Sequence, residues 1–207
     1  MGRGRHAGYD DQREMILAQA SALFAERGYP ATSMNEVAQC SGLSKATLYH
    51  YYTDKYALLV SICDTHVTRL QAIVQEAAAN DVPPARAMRE LIRRLVEEYS
   101  NAQDAHRVLT QDVKFLQVPD RQRILDKERE VVNGFARVIG TLRPDLAEAA
   151  MSKPLTMLLF GMVNWMFTWM RPDGVLDYDA MAPVVTDLFL GGLKAVKAPE
   201  FVPETTP

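Results

Sequence analysis

Residues 32–59, TSMNEVAQCSGLSKATLYHYYTDKYALL, restrict the fold more than any other stretch of this chain. Ser33 opens a helix, and Glu36 stands three residues later, the pair that forms a capping box. Met34, Val37 and Ala38 give that helix an inward face. Gly42 turns the chain, and Ser44 caps a second short helix with Ala46 and Leu48 as its expected core anchors. Asp54 caps the next. Two short helices about a glycine turn have the spacing of a helix-turn-helix, which lays its second helix in a DNA groove. Here that helix crowds together Lys45, Thr47, Tyr49, His50 and Tyr51, where a buried helix would be apolar. It is too short to stand alone. Packing through Leu43, Ala46, Leu48 and Tyr52 is expected to hold it, leaving the polar and aromatic side chains outside. The same spacing also occurs in proteins that never touch DNA.

Every other segment reads as helix. Residues 11–27 carry Ile16, Leu17, Ala20, Leu23 and Phe24 at helical spacing, and Gly28 stops them. Residues 1–10, with Arg3 and Arg5, read as a loose tail or as an arm for phosphate or the minor groove. A helix over 54–79 would run roughly 37 Å, long enough to serve two halves of the protein. The prolines at 83 and 84 break the pattern. Met88, Leu91, Ile92, Leu95, Val96 and Tyr99 then form one stripe. Further helices are expected over 105–116, 119–142, 145–170 (bent at Pro154) and 178–196, with a turn at 171–174. No strand alternation is visible. The expected fold is all-α: a three-helix helix-turn-helix domain over 1–54, a larger helical domain over 55–198 and a disordered tail over 199–207.

The bulk numbers narrow the class. At 207 residues the chain can bury a core without disulfides. Its formal charge of −3 argues against a general nucleic-acid coat. The first 60 residues balance six basic against six acidic groups, so DNA binding must rely on charge placement and on two patches, hence a dimer. Two cysteines, Cys40 and Cys63, suggest buried thiols in a reducing compartment. No apolar run follows the N-terminal arginines, so a cytoplasmic protein is expected. The histidines at 6, 50, 66 and 106 are scattered, and no nucleophile triad, phosphate loop or metal cluster is visible. Neither catalysis, nor a metal, nor a cofactor is expected.

At the DNA end, Lys and hydroxyl side chains suit phosphate oxygens, and Thr or Tyr carbons suit thymine methyls. Thr32, Ser33 and Lys55 stand at helix starts, where free N–H groups also attract phosphate. The pieces LFAERGYPATSMNEVA, SGLSKATLYHYY and DKYALL together resemble the DNA-binding domain of the TetR (tetracycline-repressor-like) family of bacterial regulators. That resemblance places DNA contacts on Thr32, Ser33, Lys45, Thr47, Tyr49, His50 and Lys55. Two positions depart from the family pattern: Tyr52, usually Phe, and Tyr56, often Glu. No Arg or Asn lies in the recognition helix to read a base.

At the other end, residues 154–170 hold 17 residues without a charge. This is at the short limit for a membrane span, and Pro154, Gly161 and Asn164 favour a buried helix instead. One face (Leu155, Leu158, Leu159, Met162, Val163, Met166) is expected to meet a second subunit, and the other (Met157, Phe160, Asn164, Trp165, Trp169) to line a cavity. Val184, Val185, Leu188 and Gly192 would complete a four-helix dimer interface. The alternative is that both helices close the subunit's own core. Asn164 needs a polar partner in so apolar a helix.

HRVLTQDVKFL, DRQRILDKEREVVNGF and FGMVNWMFTWMRPDGVLDYDAM, ending in LFLGGL, are similar to TetR-type repressors that respond to acyl-coenzyme A thioesters, phenylacetate-pathway members included. The resemblance implies a homodimer on a palindromic double-stranded operator, released by such a thioester in control of fatty-acid or aromatic-acid breakdown. The ligand site is then expected to include Tyr99, with Arg89, Arg93, Arg94 and Arg107 for the phosphates; these arginines also read as solvated surface charge. A drug-responsive repressor of an efflux pump is the alternative.

Overall fold

The computed structural model describes residues 3–79, 81–170 and 176–199. The turn expected at 171–174 and most of the expected tail, 200–207, lie outside them. All described secondary structure is helical: α1 (Arg3–Arg27), α2 (Met34–Cys40), α3 (Lys45–Tyr51), α4 (Lys55–Ala79), α5 (Pro84–Asn101), α6 (Gln103–Asp112), α7 (Val118–Leu142), α8 (Pro144–Glu148), α9 (Ser152–Trp169) and α10 (Tyr178–Ala195), with one 3-10 turn, Val113–Phe115. The chain forms two compact units, residues 1–69 with 101–128 and residues 70–100 with 129–207. The unit boundaries fall inside α4 and α7 and at the end of α5.

The first unit gathers α1, α2, α3 and the start of α4 around Ile16, Phe24, Val37, Leu48 and Leu58. Val108 and Leu109 of α6 and Ile124 of α7 bury into the same core, which is why these later helices join the N-terminal ones. The first helix begins at Arg3, so the backbone over 3–10 continues α1 and is not a separate loose arm. Gly28 ends α1 at φ +85°, its N–H reaching Phe24 O at 2.8 Å. Gly42 takes φ +65° in the turn between α2 and α3. Both positions need the left-handed backbone that glycine adopts freely.

The second unit packs the end of α4 with α5, the latter part of α7, α8, α9 and α10 around Met88, Leu91, Phe135, Leu159, Val163 and Phe189. The helix expected over 145–170 is two helices. The break falls at Ala150, at φ +57°, where the Met151 N–H returns to Leu146 O at 2.8 Å. Pro154 accordingly sits in the first turn of α9, where its missing N–H costs no hydrogen bond. Among the described residues α4 alone is long and apolar enough to cross a bilayer, and half of its most apolar stretch is buried within the fold, as in a core helix.

Candidate nucleic-acid interface and effector region

The short α3 is held as its sequence requires. Ser44 caps it by accepting the Thr47 N–H at 3.1 Å, and the two hydroxyls lie 2.8 Å apart. Leu48 is its single buried residue. Tyr52, just past its end, is buried, and its hydroxyl accepts from Arg13 Nε at 3.3 Å. Burial raises the Tyr52 hydroxyl above its ordinary range, against the opposing pull of that arginine. The ring of Tyr51 stacks on Tyr9 with centroids 4.8 Å apart. Ala46 is exposed, contrary to its expected role as a core anchor. It lies two residues, about 200° of helix, from Leu48, so the two cannot share a face. The same geometry adds a methyl to the outer surface, which the sequence reading missed.

The outer face carries Lys45, Ala46, Thr47, Tyr49 and His50. The Lys45 ammonium lies 5.8 Å from the Tyr49 ring centre, presenting cation and aromatic side by side. Three other expected contacts are placed differently. Thr32 is 2% exposed, and its hydroxyl donates to Gly28 O and Leu23 O at 3.1 and 3.3 Å. Its side chain is therefore committed inside the fold. Ser33 is exposed but engaged: its Oγ accepts the Glu36 N–H at 3.3 Å, while Glu36 accepts the Ser33 N–H at 2.7 Å. The Ser33 hydroxyl also donates to Glu36 Oε2 at 2.7 Å, and this bond first, then the Ser33 N–H, and only then Arg27, hold the Glu36 carboxyl below its usual range. Lys55 donates to Tyr29 O and Pro30 O at 2.8 and 3.1 Å, its ammonium 4.6 Å from the Tyr29 ring centre. It clamps the turn after α1.

The second unit reverses the expected phase of α9. Leu155, Leu159, Val163 and Met166 face the core, while Met157, Leu158, Trp165 (67% exposed) and Trp169 are exposed. Met157, Trp165 and Trp169, expected to line a cavity, lie on the surface of the subunit. Phe160 packs edge-on against Phe135, with centroids 5.0 Å apart, and Tyr99 is buried in the same core. The Asn164 Oδ1 is buried and meets no hydrogen-bond donor among the described residues. Of the expected interface set, Leu158, Val184, Leu188 and Gly192 are exposed; Met162 packs partly against the core, and Met166 and Val185 are buried in it.

The arginines are exposed but partnered: Arg89 pairs with Asp187 at 2.7 Å, and Arg93 with Glu90 and Glu97 at 2.7 and 2.9 Å. Arg94, partly exposed, pairs with Glu76 at 2.7 Å. Arg107 is exposed in the first unit. Two of the scattered histidines meet: His66 Nε2 and His106 Nδ1 are 3.2 Å apart in the buried first-unit core. Among the described residues no three His, Cys, Asp or Glu side chains are grouped to hold a metal ion.

Comparison with known proteins bears on these arrangements. Residues 16–62 match the family "Bacterial regulatory proteins, tetR family", and residues 81–193 match "Tetracyclin repressor-like, C-terminal domain". The HTH-type transcriptional repressor KstR2 of Rhodococcus jostii is 24% identical over 193 residues, 90% of this chain and 93% of that protein. The HTH-type transcriptional activator FasR of Mycolicibacterium smegmatis is 27% identical over 107 residues; the match covers 52% of this chain but only about half (49%) of FasR. A TetR-family regulator from Bordetella parapertussis superposes with a TM-score of 0.81 at 31% identity, covering 90% of this chain and 98% of that one. AibR in complex with isovaleryl coenzyme A and operator DNA shares the fold, with a TM-score of 0.71 at 21% identity, covering 86% of this chain and 97% of that one. With both halves matched and the recognition helix capped and outward-facing, this chain belongs to the TetR family of bacterial transcriptional regulators.

Proposed function

We propose that this protein is a homodimeric repressor that grips a palindromic operator and is released by an acyl-coenzyme A thioester, in control of fatty-acid or aromatic-acid breakdown. The observation that carries the DNA half is the outer face of α3. Lys45, Thr47, Tyr49 and His50 stand exposed on a helix fixed by Ser44 and Leu48. Lys45 and the hydroxyls would hold phosphates, and the Ala46 methyl and Tyr49 ring would meet base edges. Thr32 and Lys55 would act one step back, shaping the turn that leads into α2 and leaving phosphate to the exposed N–H groups near Ser33.

The apolar surface on α9 and α10 supports the dimer. Leu158, Trp165, Val184 and Leu188 are all more than half exposed, and such patches mark protein interfaces. Two copies joined there would set two recognition helices about 34–36 Å apart, one turn of DNA. Repression is the role named for KstR2, and AibR is a structural neighbour seen with both isovaleryl coenzyme A and operator DNA. A hundredfold release requires about 2.7 kcal/mol of coupling, within the usual allosteric range. The efflux-pump reading loses its main support with Trp165 and Trp169 on the surface, since it called for an aromatic chamber.

Titrating a promoter fragment and the purified protein with acyl-coenzyme A compounds in a gel shift tests this reading. Release by at least one thioester is the expected outcome. A complex that no thioester disturbs would remove the effector while leaving a DNA-binding regulator.

A further inference from the structure

Helices α4 and α7 are tied together by contacts that recur along both. In the first unit the Tyr56 hydroxyl donates to Asp120 at 2.7 Å. Asp64 holds two cations of α7, accepting from Lys127 at 2.8 Å and from Arg123. The Lys127 ammonium also donates to the Thr68 hydroxyl at 2.8 Å. In the second unit Gln71 donates to Glu130, and Val74 meets Gly134. The hydrogen-bonded partners stand 59 to 64 residues apart in every case. A nearly constant separation marks two helices running in the same direction in one register; an antiparallel pair would hold a constant sum instead. At Gly134 the register is also steric. A Cβ built there would stand 3.1 Å from the Val74 Cβ and nearer still to its Cγ1. A contact this close resists sliding, because packed interfaces are not continuously deformable.

We infer that α4 and α7 form one moving body: whatever displaces α4 carries α7 with it, and the DNA-binding state depends on the two staying joined. The inference rests on the ligand-released reading above and adds what moves. Both helices pass from the first unit into the second, α4 after Arg69 and α7 after Glu128. A displacement of α4 in the second unit meets α7 at Gly134 and through Gln71 and Glu130. In the first unit α4 could part from α7 only if Asp64 gave up both Arg123 and Lys127. Each of these exposed pairs is weak by itself. Their linkage is what counts. Lys127 bridges Asp64 and Thr68, which lie one helical turn apart on α4, so one rung cannot break without loosening the next. Contiguous contacts of this kind can carry coupling between distant sites.

Two experiments on the full chain test this. Asp64→Lys sets a third cation against Arg123 and Lys127 and should part the helices, although added positive charge alone would tighten DNA binding. Operator affinity should fall at least tenfold with the helical circular dichroism unchanged, and the charge swap, Asp64→Lys with Lys127→Asp, should bring it back to within threefold of native. Native or tighter binding by Asp64→Lys, or a loss that the swap fails to repair, overturns the inference. The second experiment joins the helices covalently. Gln71→Cys with Glu130→Cys, in a Cys40→Ser chain that keeps only the buried Cys63, is bridged by a short bis-maleimide. The bridged protein should bind the operator and be released by isovaleryl- or phenylacetyl-coenzyme A at concentrations within threefold of those for the unbridged form. If bridging keeps the protein on the operator at thioester concentrations that free the unbridged form, α4 moves against α7 and the inference is wrong. If no thioester releases even the native protein, the effector reading falls by itself, and the Asp64 variants alone decide whether the two helices act as one.

Discussion

The Tyr56 hydroxyl donates to Asp120 Oδ2 across 2.7 Å, joining the first turn of α4 to the first turn of α7. The same oxygen accepts the Gln117 N–H at 3.0 Å. The Asp120 carboxyl is held below its ordinary range, first by this bond and then by Arg123. A carboxyl lowered in the folded state adds stability above its unfolded value, about pH 3.9, and loses it as pH falls through the folded value. Tyr56→Phe should therefore cost on the order of 1 kcal/mol at pH 7, the low end because solvent reaches the pair. The penalty should shrink at pH 3. Denaturant melts at both pH values check this, and an equal penalty at each would refute the charge-linked account.

Thr32→Val should lower stability by about 1 kcal/mol, because it removes a shared hydroxyl donor from the buried bond to Leu23 O and the part-buried bond to Gly28 O. Operator affinity below the melting range should stay within a factor of about three of the native value. A phosphate-contacting hydroxyl would give the opposite pattern, with affinity lost and the melting temperature unmoved. Thermal melts and gel shifts on one preparation separate the two.

Lys45 and Lys55 should part company in their salt dependence. Lys45→Ala should flatten the slope of log affinity against log salt by about one unit, as for a lost phosphate contact. Lys55→Ala should leave that slope nearly unchanged and instead lower stability by about 1 kcal/mol, through the Tyr29–Pro30 turn it clamps. Equal flattening by both substitutions would put the Lys55 ammonium back on the DNA.

What could be read in advance was local. The Ser33–Glu36 capping box, the Gly42 turn and the Ser44 cap rest on spacings of three residues or fewer, and the structure holds all of them. The helix-turn-helix follows from these alone. The phase of α9 was not legible, because between Lys153 and Thr168 no exposed polar residue marks its outside: Met157, Leu158, Gly161 and Trp165 face out, and Leu155, Leu159 and Val163 face in. On such a helix only the neighbours choose the buried side. The break before α9 was hidden for another reason. Ala150 takes a left-handed backbone that a glycine would have announced. The Lys55–Tyr29 clamp and the His66–His106 pair join residues 26 and 40 apart, beyond any local pattern.

The two thiols should react very differently. Cys40 is exposed on α2, whereas Cys63 is buried in α4 and its thiol is pushed up to about 12, chiefly by burial. At pH 8 only about one Cys63 in ten thousand is thiolate, and the thiolate is the nucleophile. Native protein should take up one equivalent of a thiol reagent promptly and the second only on unfolding. Two prompt equivalents would mean that the first-unit core opens far more readily than its packing implies.

Leu188→Glu tests the surface proposed above to pair two subunits. Leu188 is 64% exposed and lies on α10 beside Val184, so a carboxylate there leaves the core of the subunit untouched. In a two-fold interface the substitution recurs on both subunits, so it places a carboxylate in the patch from each side, and burying unpaired charges there costs several kcal/mol. The variant should sediment as a monomer at micromolar concentration while keeping its helical circular dichroism. Its operator affinity should fall by at least a hundredfold, since one recognition helix on a nearly neutral DNA-binding segment gathers too few phosphate contacts. A variant that stays dimeric would move the interface elsewhere. One that is monomeric yet still binds the operator as tightly as the native protein would break the link between pairing and DNA recognition.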